Sequence, residues 1–350
     1  MQKGLISIII LNYNGKKFLE DCINSIKKNT ERNIEIIVVD NASPDKSGRD
    51  TALIFPDCKF ILNEKNVGVP EGFNIGVKNS NGEFIIILNN DVKVTKNWIE
   101  NFFDAYEKFG PGLYQPKFVK MTNPEILDGT GDMINIFGFG FARGKGQFDE
   151  EKEIGVEEIS YASGTCMFFP KKIIDNIGLF DKKLFAYHEE LDFGWRARLF
   201  GYKSFYVPKT VIHHIGSAGW GWSNKKFYYL ERNRWIVLLK NYSVSTITRL
   251  FPSLLIIEII MLGFYLKKGI LKEKLSSYLS IIKTFNHIRK ERKKIQKIRK
   301  IHDKEIMKNF CSNMYIPPES EVSQHNNNFN KILINLAKLT GYYNQVRFIE

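Results

Sequence analysis

The sequence predicts an α/β protein with a mainly parallel sheet, followed by a basic helical region. Short apolar runs alternate with segments of helical period through the first 110 residues, which is the pattern of β-α-β units. Three of these runs end in polar residues, around Asn12, Asp40 and Asp91. Ligands of open α/β sheets bind outside the carboxyl ends of the strands. The order of residues therefore predicts a ligand site at one edge of the sheet.

The apolar periodicity assigns the individual elements. In the first half we predict strands at 5–11, 34–39, 60–62 and 83–88, and helices at 16–29 and 71–79. In the second half we predict strands at 165–169 and 204–207 and helices at 171–176 and from about 189. The dense glycines of 129–146 favour a long mobile loop or a hairpin. The predicted organisation is a ligand-binding half at 1–110, a second half at 111–240 and a helical tail at 241–350.

Composition limits the class of protein. With 350 residues and 43% apolar content, the chain can bury a substantial core. Its four cysteines show no CxxC and no Cys/His zinc spacing, so a reduced, cytosolic protein is the simplest interpretation. The apolar run 5–11 ends in Asn-Tyr-Asn without a small-residue cleavage site, which favours a buried first strand over a signal peptide.

The positive charge is concentrated in the tail. The net charge is +13, and the segment from Lys240 to Lys308 holds 17 Lys and Arg against 5 Asp and Glu, or +12. A nucleic-acid enzyme is expected to carry its basic surface around the active site. We therefore predict no nucleic-acid partner.

The tail has two segments suited to a membrane surface. The apolar stretch 250–266 is interrupted by Pro252 and Glu258 and is shorter than the roughly 20 residues of a spanning helix. It favours an interfacial or re-entrant helix, with a span as the alternative. Residues 289–300 hold eight basic residues in twelve, beside a rough apolar stripe of Ile288, Ile295, Ile298 and Ile301. This basic amphipathic helix fits an anionic membrane, with a solvated helix face as the alternative.

Acidic residues at strand ends suggest binding chemistry. The Asp40 carboxylate can accept the imide N–H of uracil or thymine, or a ribose hydroxyl, although an Asx turn or helix cap explains it equally well. Asp91 follows Asn89 and Asn90, and Asn-Asp pairs are common in turns. A single aspartate there can hold Mg²⁺ or Mn²⁺ together with substrate phosphates.

The second half adds further candidates. Glu189 and Glu190 lie at a predicted helix start, where the helix dipole favours negative charge, and one of them can also serve as a general base. His213 and His214 come next. Two adjacent histidines before a flexible loop suggest a contact with a metal or a phosphate, and the alternative is that they are structural, buried histidines. The aromatic pair Trp220 and Trp222 could stack on a sugar. Arg232 and Arg234 could clamp a diphosphate.

A set of motifs between about residue 4 and residue 240 resembles inverting family 2 glycosyltransferases of the GT-A fold. They are Ser7-Ile-Ile-Ile-Leu-Asn-Tyr-Asn14, Val38-Val-Asp-Asn-Ala-Ser43, Asn66-Val-Gly68, Leu88-Asn-Asn-Asp-Val92, Gly178-Leu-Phe-Asp181, Tyr187-His-Glu-Glu-Leu-Asp192 and Arg196. The chain is most similar to the bacterial and archaeal rhamnosyltransferase-like branch. The resemblance implies a GT-A, Rossmann-like nucleotide-sugar-binding domain at 1–240.

The resemblance also implies roles. Asp40 would recognise the donor base, Glu190 would be the catalytic base, and Asp91 with His213 would hold the metal, with His214 as the fallback. The donor site would comprise Asn12, Tyr13, Asp40, Asn41, Asn66, Gly68, Asn74, Asn90 and Arg234, and the acceptor side Glu189, Trp220 and Trp222. Two positions depart from the family pattern: Asn90 replaces a common Asp, and Glu190 replaces the commoner Asp.

The expected activity is inverting transfer of a sugar from a dTDP- or UDP-sugar, with rhamnose as one candidate. The acceptor would be a glycan or a lipid-linked glycan in surface polysaccharide or glycoconjugate biosynthesis, and Mg²⁺ or Mn²⁺ the cofactor. Residues 250–304 would bind the enzyme peripherally to the inner face of the cell membrane. A sugar-phosphate nucleotidyltransferase and a membrane-bound scaffold with a decayed transferase domain are the alternatives. The first is disfavoured because Asn12-Tyr-Asn-Gly-Lys16 is not its Gly-rich, Arg-containing loop.

Overall fold

The computed structural model describes residues 1–150, 155–216, 223–318 and 326–349. The strands are β1 (Gln2–Asn12), β2 (Ile34–Asp40), β3 (Lys59–Leu62), β4 (Gly82–Asn89), β5 (Val92–Val94), β6 (Gly112–Lys120), β7 (Asn123–Gly129), β8 (Asp132–Ile134), β9 (Gly140–Ala142), β10 (Glu157–Ile159), β11 (Cys166–Pro170) and β12 (Lys203–His214). The helices are α1 (Leu19–Lys28), α2 (Ser47–Ile54), α3 (Val69–Lys78), α4 (Trp98–Phe109), α5 (Lys172–Ile177), α6 (Glu189–Phe200), α7 (Asn224–Asn241), α8 (Val244–Lys267), α9 (Leu271–Lys283), α10 (Phe285–Ile298), α11 (Asp303–Ile306) and α12 (Asn326–Leu339).

One large sheet joins both halves of the first 240 residues. Its strand order is β10-β12-β6-β11-β4-β1-β2-β3, with β5 paired to β12 and β7 paired to β6. The strands β3, β2, β1 and β4 are parallel, whereas β11 runs antiparallel between β4 and β6. The predicted α/β class with a mainly parallel sheet is therefore confirmed, and the sheet is mixed.

Strand β1 shows why the sheet is buried on both faces. Ile8 and Ile10 pack in one core cluster with α1, and the alternating Ile9 and Leu11 pack in another with α3. Successive side chains of a strand point to opposite faces, so a continuous apolar run fits a strand covered on both sides. The same run could not be half exposed without placing several isoleucines in water.

The predicted elements are found close to their expected positions, with a few differences. The strand predicted at 204–207 extends to His214, so the two histidines lie within β12 rather than after it. Several elements are additional to the predicted ones, namely the helices α2, α4 and α7 and the strands β5, β6, β7 and β10. The glycine-rich stretch 129–146 contains the hairpin β8-β9, the second of the two predicted possibilities.

The helical tail packs against the second half. A single core cluster combines Leu191 and Trp195 of α6 with Leu254 of α8, Ile295 of α10 and Leu333 of α12. The prediction that α10 offers its apolar stripe to a membrane is wrong, because Ile288 and Ile295 are 2% and 3% exposed inside this cluster. Most basic residues of α10 are exposed, whereas Arg292 donates to the carbonyls of Leu239 and Tyr242.

Candidate active site

A cleft of about 480 Å³ opens at the carboxyl ends of β1 and β4. The predicted site residues that line it are Tyr13, Asn41, Asn66, Gly68, Asn90, Asp91, Glu189 and Glu190. The first six come from loops of the first half, and the two glutamates begin α6. The structure therefore brings together residues from both halves of the domain, as expected for polar groups that follow parallel strands.

Asn12 links the ends of three strands behind this cleft. It is fully buried, and its Nδ2 donates to Asp40 Oδ1 at 2.6 Å and to Ser47 Oγ at 2.8 Å. Its Oδ1 accepts a bond from Asn90 Nδ2 at 2.6 Å. An aspartate at position 90 would place an acceptor against this oxygen. Asn90 therefore departs from the family's common aspartate, but its amide suits the Asn12 oxygen to which it donates.

Asp40 is a buried carboxylate in an adjoining cavity. Its Oδ1 accepts from Asn12 and from Ser43 Oγ, and its Oδ2 accepts from the Ser43 N–H at 3.0 Å. The cavity, about 350 Å³, is also lined by Lys46, Arg49 and Asn63. The predicted Asx turn is thus present, and a carboxylate oxygen with one bond keeps the capacity for a ligand N–H or O–H.

The loop before α3 is fixed against the loop before α6. Gly68 has φ +85°, and a Cβ at this position would lie 2.5 Å from the Phe185 carbonyl oxygen. The Val69 N–H donates to that same oxygen at 2.7 Å. Asn66 Oδ1 accepts from the Gly68 N–H, and Asn41 Nδ2 donates to the Gly68 carbonyl. A glycine is needed here for its conformation and for the close approach.

His214, rather than His213, lies beside Asp91. The His214 Nε2 is 3.4 Å from Asp91 Oδ1, and its Nδ1 is 2.6 Å from Asp128 Oδ2. Burial alone would lower the pKa of His214, but the bonds to Asp128 and Asp91 outweigh burial and raise it to about 9. The first choice of His213 as metal ligand is corrected, because neighbouring residues of a strand face opposite sides.

The residues present fit a divalent cation bound together with a substrate diphosphate. Asp91 is 6% exposed, and its buried Oδ1 has His214 Nε2 at 3.4 Å as its only neighbour of opposite charge among the described residues. This oxygen therefore keeps the capacity for a further ligand. Among the same residues, no group of three or more His, Cys, Asp and Glu side chains forms a metal cluster. One or two protein ligands plus phosphate oxygens are the usual set for Mg²⁺.

The two glutamates at the start of α6 form an acidic pair in which Glu189 is buried and Glu190 is half-buried. Burial raises the pKa of Glu190, and burial together with the charge on Glu190 raises the pKa of Glu189 well above its usual range. Two close carboxyl groups cannot both ionise readily. The pair therefore holds a proton on Glu189 more firmly than on Glu190, which leaves Glu190 as the group that ionises first.

The loop of residues 178–188 leads directly into this pair, and its backbone is strained. Phe185, Tyr187 and His188 all have φ between +64° and +67°, which costs about 1 kcal/mol or more for each such residue. Asn233 of α7 offsets this cost by donating to the carbonyls of Leu184, Ala186 and Tyr187 at 2.7–3.0 Å. Arg232 of the same helix donates to the carbonyl of Lys183 and also to that of Leu184.

Two predicted donor residues lie elsewhere. Asn74 is not in the cleft; its side chain exchanges hydrogen bonds with the backbone of Phe180 at 2.9 and 3.0 Å. Arg234 is 1% exposed and pairs with Glu231 at 2.6 Å and with Glu258. Its guanidinium is thus held inside the helical region, so the predicted diphosphate clamp is wrong. The charge on Arg234 compensates buried carboxylates instead.

Trp220 and Trp222 fall outside the described residues. Several residues that complete the cleft escape prediction from sequence, namely Ser163, Gly164, Thr165, Phe185 and Tyr187. So does Asp132, whose pKa is raised to about 7 by burial and by the charge of Glu190. Thr165 begins a predicted strand and Tyr187 belongs to a family motif. None of these residues follows a strongly predicted strand, so no strand end marks them as site residues.

A known family and known proteins match the first part of the chain. Residues 7–178 match the model of glycosyl transferase family 2. The hexosyltransferase Agl10 of low-salt glycan biosynthesis in Haloferax volcanii is 25% identical over 199 residues, which cover 55% of this chain and 61% of that protein. The glycosyltransferase RT0329 of Rickettsia typhi is 29% identical over 53% of this chain and 56% of its own length. The match thus spans less than two thirds of either relative.

A third relative and two solved structures extend the comparison. The N-acetylglucosaminyl-diphospho-decaprenol L-rhamnosyltransferase of Mycobacterium tuberculosis is 21% identical over 60% of this chain and 76% of that protein. The structure of GalNAc-T7 with UDP, GalNAc and Mn²⁺ has a TM-score of 0.57 and 17% identity, covering 71% of this chain and 50% of that one. S. aureus TarS has a TM-score of 0.50 and 18% identity, covering 71% and 43%. Residues 7–178 therefore match glycosyl transferase family 2, and the chain has a GT-A-like fold.

Proposed function

We propose that the protein transfers a sugar from a nucleoside diphosphate sugar to a hydroxyl group, with inversion at the anomeric carbon. The observation that carries this proposal is a single cleft lined both by Asp91 and by Glu189 and Glu190. Next to it, Asp40 occupies a cavity that suits a nucleobase. This arrangement supplies a base-binding group, a diphosphate position and a general base in adjoining cavities.

Glu190 would accept the proton of the acceptor hydroxyl. The hydroxyl oxygen forms the new bond to the anomeric carbon as the bond from that carbon to the diphosphate oxygen breaks. The leaving nucleoside diphosphate takes the electron pair of the broken bond. Attack from the side opposite the leaving group inverts the configuration, and no covalent intermediate with the protein is needed.

Asp91 would hold the divalent ion together with His214, whose ring must first lose the proton that its raised pKa retains. When bound, the ion neutralises charge on the diphosphate as a Lewis acid. Asp128 orients the His214 ring through its Nδ1 at 2.6 Å. A carboxylate partner of this kind fixes the position of a ligating histidine. The buried Asp91 Oδ1 and the Mn²⁺ bound in the GalNAc-T7 structure support this assignment.

The donor would be a UDP- or dTDP-sugar. Uracil and thymine both present an imide N–H, and Asp40 Oδ2 can accept a further hydrogen bond. Rhamnose is one candidate for the transferred sugar, because a rhamnosyltransferase is among the relatives. The acceptor would be a glycan or lipid-linked glycan, in keeping with the glycan-biosynthesis relative and the decaprenol-linked substrate in the name of the mycobacterial one.

A donor screen tests the proposal. The full chain would be incubated with Mn²⁺ or Mg²⁺ and a panel of nucleotide sugars, with and without EDTA, and released nucleoside diphosphate measured. One donor should turn over, and Asp91→Asn should abolish metal-dependent release. The exposed Asp104 of α4 provides a matched control, because Asp104→Asn removes the same charge away from the cleft.

A second measurement tests the proposal when the donor screen lacks the acceptor that turnover requires. Binding of UDP and TDP would be followed by calorimetry with and without Mn²⁺, because binding needs no acceptor. Metal-dependent binding that Asp91→Asn weakens and Asp104→Asn preserves would support the proposal. Absence of turnover together with absence of metal-dependent nucleotide binding would contradict it and favour the scaffold alternative.

A further inference from the structure

Large exposed apolar side chains are concentrated in α8, α9 and the first residue of α10. Nineteen such residues are found in the described part of the chain, and ten of them lie between Val244 and Phe285. The ten are Val244, Phe251, Leu255, Ile256, Ile259, Leu266, Leu275, Leu279, Ile282 and Phe285. We call this set the α8–α9 apolar face. Single exposed apolar residues are ordinary, whereas a concentration of them marks an interaction surface.

The spacing within α8 separates two faces. The inner face is at most 2% exposed and packs on the protein through Leu250, Leu254, Ile257 and Tyr265. The outer face is 52–65% exposed and recurs at intervals of four or seven residues through Phe251, Leu255, Ile259 and Leu266. Only 22% of the most apolar stretch of α8 is buried. The helix is therefore not the core helix of a soluble domain.

The inner face of α8 explains how an apolar helix of this length can remain on the protein. By length and composition α8 could cross a membrane. However, Glu258 on its inner side pairs with Arg234 of α7 and with Lys274 of α9, the latter at 2.6 Å. Extracting α8 from the protein would break buried ion pairs and leave their charges uncompensated. The helix thus stays attached along its inner side while its outer side remains apolar.

Basic residues surround the exposed apolar side chains. Lys267 ends α8, Lys272 is the second residue of α9, and Lys283 ends α9; all three are exposed. A second copy of the chain on this face would bring like charges together, which costs energy. Anionic lipid headgroups would instead pair with these cations while the apolar side chains enter the acyl boundary. The charge pattern thus favours a bilayer over a copy of the same chain.

We propose that the α8–α9 apolar face lies in the interface of an anionic membrane, with α8 parallel to the bilayer plane. The membrane contact is then this face rather than the stripe of α10, which is buried. The helix is also connected to the cleft: the Tyr265 hydroxyl donates to the Phe227 carbonyl at 3.2 Å, and the ring of Tyr229 stacks on that of Phe185 with centroids 5.4 Å apart. Resting on the proposed function, this position suits an acceptor attached to a membrane lipid.

Vesicle flotation of the full chain tests the proposal. The vesicles would contain phosphatidylcholine alone or mixed with phosphatidylglycerol. The double variant Ile259→Glu/Leu279→Glu places charges on two exposed positions and should lower partitioning at least about tenfold. The matched control Leu53→Glu/Ile54→Glu makes the same change on α2, where both side chains are also exposed, and should partition like the wild type.

The outcomes separate membrane binding from catalysis. Nucleotide binding in solution would be measured on all variants, so that loss of the fold or of the proposed function is seen independently. Wild-type protein that fails to float with anionic vesicles, or a double variant that floats equally well, would overturn the proposal. So would a wild-type dimer in sedimentation that the double variant converts to monomer, because this face would then be a protein interface.

Discussion

The carboxyl ends of β1, β2 and β4 and the helical region α7–α10 differ in how far local sequence determines their role. At the strand ends, Asn12 hydrogen-bonds to both Asp40 and Asn90, and the position of all three at the edge of the sheet follows from the strands. On α7, Arg234 is expected from sequence at a diphosphate but pairs with two buried glutamates. A side chain at a strand end has its position set by the sheet, whereas a charge on a helix depends on what covers that helix.

The largest expected effect concerns the glutamate pair at the start of α6. We expect Glu190→Gln to lower kcat about 10²–10⁴-fold, the usual contribution of a general base. Glu189→Gln should retain most of the turnover, because an amide can replace a carboxyl group that stays protonated. Initial rates at saturating donor measure both, and equal loss in the two variants would contradict the assignment of Glu190 as base.

The same pair sets the acid limb of the pH profile. Transfer requires ionised Glu190, and burial raises the pKa of this carboxyl. Activity should therefore fall as the pH decreases through a value above the ordinary range of glutamate. The profile of kcat/KM measures this pKa in the free enzyme. An acid limb at the ordinary value for glutamate would show that Glu190 is solvated in the active state.

The second effect tests the corrected role of Arg234. Arg234→Leu leaves Glu231 and Glu258 with Lys274 as a shared buried cation, and we expect a loss of about 3–5 kcal/mol in the free energy of unfolding. Denaturant titration measures this loss. Arg289→Leu, at an exposed position of α10, should change stability by less than about 0.5 kcal/mol. A rise in the KM for the donor without loss of stability would contradict this role and support the prediction that Arg234 binds the diphosphate.

The smallest expected effect concerns Asn233 of α7. It distinguishes a role in positioning the glutamate pair from a role in stability alone. Asn233→Ala removes the donors to the loop that carries the glutamate pair, so kcat should fall about 10–100-fold through misplacement of the catalytic group. The matched variant Asn241→Ala removes an equally buried amide of α7 that bonds to Asp192. Each should destabilise the protein by about 1–3 kcal/mol. If both lowered kcat equally, Asn233 would have only a structural role.

Much of the fold and part of the site could be predicted from sequence. The strands β1, β2 and β4 are continuous apolar runs with polar ends, so local pattern is enough to place Asp91, Asn41 and Asn90 in one cleft. The roles of His214 and Asn74 are not predictable in this way. Which face of β12 meets Asp91 depends on the register of β12 with β5 and β6. The side-chain amide of Asn74 hydrogen-bonds to the backbone carbonyl of Phe180, which lies 106 residues away in the sequence.

The sequence by itself determined the α/β class, the strand-end polar residues, the acidic pair at the start of α6 and the concentration of charge in the tail. These depend on periodicity and on neighbours within a few residues. Only the tertiary structure decided that Arg234 is internal, that Asn233 holds the strained loop, and that α8 rather than α10 exposes its apolar side. Burial and pairing of a side chain depend on which distant element packs against it, and this packing is not encoded in any single segment.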